Sequence, residues 1–159
     1  MLEILEKIKA SKAFKDWKHP KAYLCSVFIT ENEPQFSFYD KKTKLVTSFA
    51  VKEGKVALVT KDDKVFQKEK QDLKEIHPDE IRINMKQAKE IADSLQKEKY
   101  PRETVSKEIF ILQYIEEKLA WNITKITAAF NIINIKISAI DGKILEDIIT
   151  PALSFKERK

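Results

Sequence analysis

Tyr23-Leu-Cys-Ser-Val-Phe-Ile-Thr30, Glu31-Asn-Glu-Pro34, Gln35-Phe-Ser-Phe-Tyr39, Asp40-Lys-Lys-Thr43, Lys44-Leu-Val-Thr-Ser-Phe-Ala-Val-Lys52, Glu53-Gly54 and Lys55-Val-Ala-Leu-Val-Thr-Lys61 follow one another without a gap. The long members of this series are rich in β-branched and aromatic residues, and the short ones are polar. In Lys44–Lys52 the residues Leu45, Thr47, Phe49 and Val51 share one face, the period of two that a half-buried strand needs. Turns this short join only antiparallel neighbours, so the stretch reads as a meander. Asp62-Asp63 then turns into a short fifth strand, Lys64–Lys68.

Outward from the meander the period changes. Leu2, Leu5, Ile8, Ala13, Phe14 and Trp17 keep mostly to helical spacing, so the first seventeen residues read as one amphipathic helix. His19-Pro20 stops it, because the residue before proline leaves helical geometry. Beyond the meander, residues 68–80 are polar and proline-marked. Asn84 followed by Gln87 has capping-box spacing and opens a second helix with Met85, Ala88, Ile91, Ala92 and Leu95 on one stripe. Tyr100-Pro101 closes it. Strands are expected over 107–116, 120–126, 130–139 and 143–149, although Val105, Ile109, Leu112, Ile115 and Leu119 within 104–120 also fit a helical stripe.

The two halves resemble each other weakly. Phe36-Ser-Phe38 after Glu31-Asn-Glu-Pro34 matches Trp121-Asn-Ile123 after Glu116-Glu-Lys-Leu119, and 56–65 matches 135–144. The expected fold is α+β with two tandem repeats, each one helix packed on an antiparallel β-meander. The boundaries are 1–69 for the first repeat, 70–82 for a linker, 83–152 for the second repeat and 153–159 for a charged tail. Apolar residues on both faces of the second series call for cover on both, supplied by the other repeat or by a second copy of the chain.

Composition excludes several classes of function. Two glycines in 159 residues cannot build a phosphate-binding loop or a dinucleotide fingerprint. One cysteine excludes an internal disulfide and a multi-cysteine metal cluster. Thirty Lys and Arg against 25 Asp and Glu give +5, but the only arginines are Arg82, Arg102 and Arg158, so the fork that suits bases and phosphates is scarce. No apolar run approaches the roughly 20 residues that span a bilayer. Met1-Leu-Glu-Ile-Leu-Glu-Lys-Ile-Lys alternates charged and apolar residues, so no secretory signal is expected, and the expected location is the cytoplasm.

The helix Met85–Lys99, the strand Ala120-Trp-Asn-Ile123 and the hairpin Ile135-Lys-Ile-Ser-Ala-Ile-Asp-Gly-Lys-Ile-Leu145 together resemble the PepSY family over residues 84–149. The turn is shorter here than the Asp-x-x-Gly of that family. The resemblance implies one helix on an antiparallel meander and a non-catalytic module linked to peptidase propeptides and to inhibition. It marks Trp121, Asp141 and Gly142 as signature residues with structural roles.

Each candidate site has a plain structural reading. Asp141-Gly142 suits a two-residue type I′ turn. Trp121 and Phe36 are expected as core anchors, and Trp17 as cover for a sheet edge. His19 and His77 read as exposed loop residues; His77 with Asp79 and Glu80 is a weak metal candidate. Cys25 behaves as a small buried apolar residue. Glu116-Glu117 and Asp62-Asp63 read as solvated turns. No catalytic set, metal site or cofactor site is expected, and the chain is read as a non-enzyme. The expected function is a binding module for a protein or peptide, with a homodimer as a further possibility and with nucleic acid and membrane outside the expected partners. Binding of nucleic acid or another anionic surface, and binding of a small ligand, are the alternatives.

Overall fold

The computed structural model describes residues 1–64 and 71–152. The chain divides into two units, Met1–Pro78 and Asp79–Lys159. The first holds helices α1 (Leu2–Ala10) and α2 (Lys12–Asp16) and strands β1 (Tyr23–Thr30), β2 (Glu33–Asp40), β3 (Leu45–Lys52) and β4 (Lys55–Lys64). Each strand pairs antiparallel with the next.

The single helix expected through Trp17 is instead broken. Ser11 takes an extended backbone (ψ 154°) and stands between α1 and α2. Its Oγ donates to the Ile8 carbonyl at 2.6 Å and accepts the Phe14 N–H at 3.2 Å. One serine thereby satisfies an orphan carbonyl of the first helix and an orphan donor of the second. Beyond the break, Phe14 meets Phe38 and Phe49 at centroid distances of 5.0 and 5.4 Å, and Trp17 meets Phe49 at 5.4 Å. Such edge-on and tilted contacts are the favoured geometry of aromatic pairs. With Leu5, Ile8, Val27 and Phe36, all buried, they fill the core of this unit. Trp17 therefore packs on the aromatic face of the sheet rather than over an edge.

The second unit holds helix α3 (Met85–Lys99) and strands β5 (Val105–Ile115), β6 (Lys118–Thr127), β7 (Asn131–Ser138) and β8 (Ile144–Pro151), again antiparallel in sequence order. The capping box is formed as expected, with the Asn84 side chain on the Gln87 N–H and the Gln87 side chain on the Asn84 N–H. Residues 104–120 are strand, turn and strand. Register sets Trp121 between Leu112 and Ile137, and Ile123 between Phe110 and Ile135. All six are buried. Ala88 and Ala92, fully buried on α3, let the helix backbone come close to β6 and β7, on which it packs.

The fold expectation needs correction. Among the described residues strand dominates, with four antiparallel-paired strands in each unit and three short α-helices in all, so two repeats of one helix on a meander are not what forms: the first unit carries two helices split at Ser11. Two-residue turns, short enough to keep successive strands in register, make the ladder the dominant structure. Only part of the expected fifth strand, Lys64–Lys68, can be placed: Lys64 ends β4, and 65–68 lie outside the described residues, as does the expected tail 153–159. β2 begins at Glu33, two residues earlier than expected, because Glu31-Asn32 alone makes the turn with φ of +52° and +64°. Glu53-Gly54 and Glu116-Glu117 do the same, at +52° and +76° and at +47° and +69°. Positive φ at both positions is what a type I′ turn requires. Asp141-Gly142 is not such a turn. Only Gly142 has positive φ, +76°, and the connection is longer, with the Ser138 N–H donating to the Lys143 carbonyl and the Gly142 N–H to the Ser138 carbonyl.

Candidate functional site

The three signature residues gather where α3 begins. Trp121, fully buried on β6, donates its indole N–H to the Ile83 carbonyl at 2.8 Å. The Ile83 N–H donates to the Ala139 carbonyl. A Cβ on Gly142 would stand 3.3 Å from Ile91 Cδ1 and 3.4 Å from Ile83 Cδ1, so glycine is needed here for space as well as for its φ. Asp141 Oδ1 accepts the Lys143 N–H at 3.0 Å. Its carboxyl is held below the usual carboxylate range, first by the Lys143 N–H and then by Ser138. This cluster anchors the helix to the β7–β8 connection through contacts within the unit.

His19 is not the exposed loop residue expected. Its Nδ1 lies 2.6 Å from Asp40 Oδ2, and its ring stacks on Trp17 at 4.6 Å. The hydrogen bond from His19 holds the Asp40 carboxyl below its ordinary range. His77 is exposed as expected, 3.4 Å from Glu75, and does not gather Asp79 and Glu80 into a ligand set. Among the described residues no group of three or more His, Cys, Asp and Glu could hold a metal. Cys25 is buried in β1 with its Sγ 3.4 Å from the Ser37 carbonyl. Burial pushes its thiol up to about 12, so almost no thiolate is present at neutral pH and the sulfur is a poor nucleophile.

Sequence reasoning missed a buried cation. Lys125 on β6 is 1% exposed. It pairs with Asp93 of α3, donates to Gln96 Oε1 at 3.0 Å, and lies 3.6 Å from Glu108 of β5. Lys89 adds a second cation, 2.9 Å from Asp93 and 3.0 Å from Glu108. Burial alone would push the Asp93 carboxyl up, but hydrogen bonds from Lys125 and Lys89 outweigh it and hold the group below its ordinary range. Two cations and two carboxylates close on one another, as a structural network does.

The opposite condition holds on β8. It pairs with β7, and among the described residues of this unit no strand lies on its other side. Ile144, Leu145, Ile148 and Ile149 are each 37–45% exposed. Its two charges are already used: Asp147 accepts from Lys99 at 2.9 and 3.0 Å and from Tyr100 at 2.9 Å, and Glu146 accepts from Lys136 at 2.7 Å. Lys99 foremost, then Tyr100, hold the Asp147 carboxyl below its usual range. At the far end, Ala152 donates its N–H to the carbonyl of Phe130. That phenylalanine is 74% exposed, at φ +61°, a backbone region that bulky residues avoid. An apolar strand edge with an exposed, strained aromatic at one end is the strongest candidate for a binding site. Sequence spacing had made Phe130 the first residue of a strand, and nothing local marks it as a turn residue.

No helix among the described residues is long and apolar enough to cross a membrane. No family model matches the chain, and no curated protein matches it. Among solved structures it is similar to a protein described as a "putative lipoprotein" from Clostridium difficile 630, with a TM-score of 0.52 and 16% identity, over 87% of this chain and 88% of that one. At that identity the likeness concerns the fold alone.

Proposed function

We propose that this chain is a non-enzymatic binding module that takes an extended peptide or protein segment along β8. The observation that carries this reading is the exposure of Ile144, Leu145, Ile148 and Ile149 on a strand whose own charges are neutralised from both faces. Native sheets guard their outer strands with charge, proline or cover. Between Ile144 and Thr150 the strand has no proline and no charge without a partner, and such an apolar edge is a template for strand addition, in which backbone hydrogen bonds give affinity and alternate side chains give specificity. Phe130 supplies an aromatic anchor at one end, of the kind enriched at interaction hot spots. A peptidase-directed form of this binding, implied by the PepSY resemblance, would set an extended segment of the peptidase on the same strand. The one cysteine is a free, buried thiol, in keeping with the cytoplasm as the place of action.

Selection of a displayed library of random peptides on the immobilised protein tests the reading. Recovered peptides are expected to bind the native chain and to lose at least about tenfold in affinity with Ile148→Lys, about the 1.4 kcal/mol that one lost apolar anchor represents. Peptides that bind both proteins equally would contradict it.

A further inference from the structure

A second surface, in the first unit, is independent of β8. The contact between His19 and Asp40 joins two short connections: the loop after α2 and the turn between β2 and β3. The loop closes on itself through the Ala22 N–H and the His19 carbonyl, and the turn through the Lys44 N–H and the Asp40 carbonyl. The loop carries Lys18 and Lys21, and the turn carries Lys41, Lys42 and Lys44. All five are exposed, and none has an ion-pair partner among the described residues. The carboxylates nearby are occupied or few. Asp40 is taken by His19 and by the Lys42 N–H. Asp62, near the end of β4, accepts the Thr47 hydroxyl on its Oδ1 at 3.5 Å. Asp63, near the end of β4, and Asp16, at the end of α2, are exposed and are outnumbered by the five lysines.

We infer that this lysine cluster docks the protein on an anionic lipid surface. Lysine is a compact, strongly hydrated charge without the planar fork that reads bases and single phosphates, and residues 1–78 contain no arginine. The patch also lacks an exposed aromatic on which a base could stack, since Trp17 is buried beneath His19. Stacking platforms and arginine forks are what nucleic-acid sites use. A dense, laterally mobile array of anionic headgroups needs neither. It responds to the number of charges brought near it, at about fivefold in affinity per lysine.

Cosedimentation of the whole protein with vesicles tests this. Vesicles containing phosphatidylserine should bind it, vesicles of phosphatidylcholine should not, and the binding should weaken as salt is raised. The combined change Lys18→Gln, Lys41→Gln and Lys42→Gln should lower the partition coefficient by about a hundredfold, and the matching change to Glu by more. Lys86→Glu, Lys97→Glu and Lys107→Glu, which alter net charge equally but lie outside the patch, should lower it far less. Circular dichroism of each variant checks that the fold is retained. Equal binding to both vesicles, equal loss in both charge-reversed variants, or tighter binding to duplex DNA or single-stranded RNA at the same salt would each overturn the inference.

Discussion

The two meanders are filled and finished in opposite ways. The first is packed with rings: Phe14, Trp17, Phe38 and Phe49 lean on one another. Its last strand, β4, exposes Leu58 and Val59 but also carries Lys55, Lys61, Asp62, Asp63 and Lys64. The second is packed with branched aliphatics around Trp121, admits a charged network at Lys125, and ends in β8, whose two charges are both used internally. The difference separates two uses of charge. In β4 it stands outside and discourages pairing with another strand. In the second unit it is drawn inward, to position α3 and to hold β8 in place, and the apolar edge is left bare. A fold can therefore spend similar numbers of charged residues on protection or on positioning, with opposite consequences for what its outer strand can do.

Removing the filling of each meander should have the largest effect. Phe38→Ala is expected to destabilise by about 3–5 kcal/mol through the cavity it leaves, and Lys125→Ala by about 1.5–3 kcal/mol, because Asp93 and Glu108 lose a charged partner but keep Lys89. The two losses should differ in kind. Combining Lys125→Met with Asp93→Leu should recover most of the stability, since buried ion pairs are often replaceable by apolar groups of like size, whereas no polar partner change can rescue Phe38→Ala. Urea unfolding of the purified variants measures both. Failure of the double variant to recover would mean that the network contributes stability of its own.

The same network should contribute to the pH dependence, alongside the depressed carboxyls of Asp40, Asp141 and Asp147. The Asp93 carboxyl is depressed in the folded protein, so its contribution is present above the unfolded value, near 4, and is lost as pH falls through the folded value. Stability is expected to drop on acidification below about pH 4. Asp93→Asn should give a shallower drop, and an unchanged acid limb would assign the effect elsewhere.

Smaller effects should come from the turns. Glu116 and Glu117 both sit at positive φ, where a side chain costs about 1–2 kcal/mol. Glu116→Asn with Glu117→Gly should stabilise the protein by about 1 kcal/mol. Phe130→Gly should likewise raise the melting temperature while weakening peptide binding. That opposition separates a residue kept for binding from one kept for stability.

Much of this architecture is legible in the residues. Alternation places β1 at Tyr23–Thr30, and Asn84 with Gln87 announces α3, because both signals are local and both are met by local hydrogen bonds. The misreadings come from features that distant residues decide. Ser11 lies between good helix formers, and its break is supported by the aromatic face on which Phe14 and Trp17 then settle. Lys125 falls at an inward position of a strand and reads as a surface lysine until Asp93, thirty-two residues earlier, closes on it. His19 finds Asp40 across twenty-one residues. Residue type favours a type I′ turn at Asp141-Gly142, whereas strand register sets that geometry at Glu116-Glu117. Of the candidate site, the strand is legible but its exposure is not, because exposure depends on what fails to cover it.

Backbone amide hydrogen exchange, followed by NMR with and without a selected peptide, tests the strand-addition reading most directly. In the free protein the outward amides of β8 should exchange rapidly, and in the complex they should become protected in alternation along Ile144–Thr150, with Phe130 shifted and β4 unchanged. Protection confined to α3 or β4, or binding that leaves the β8 amides as fast as before, would contradict it.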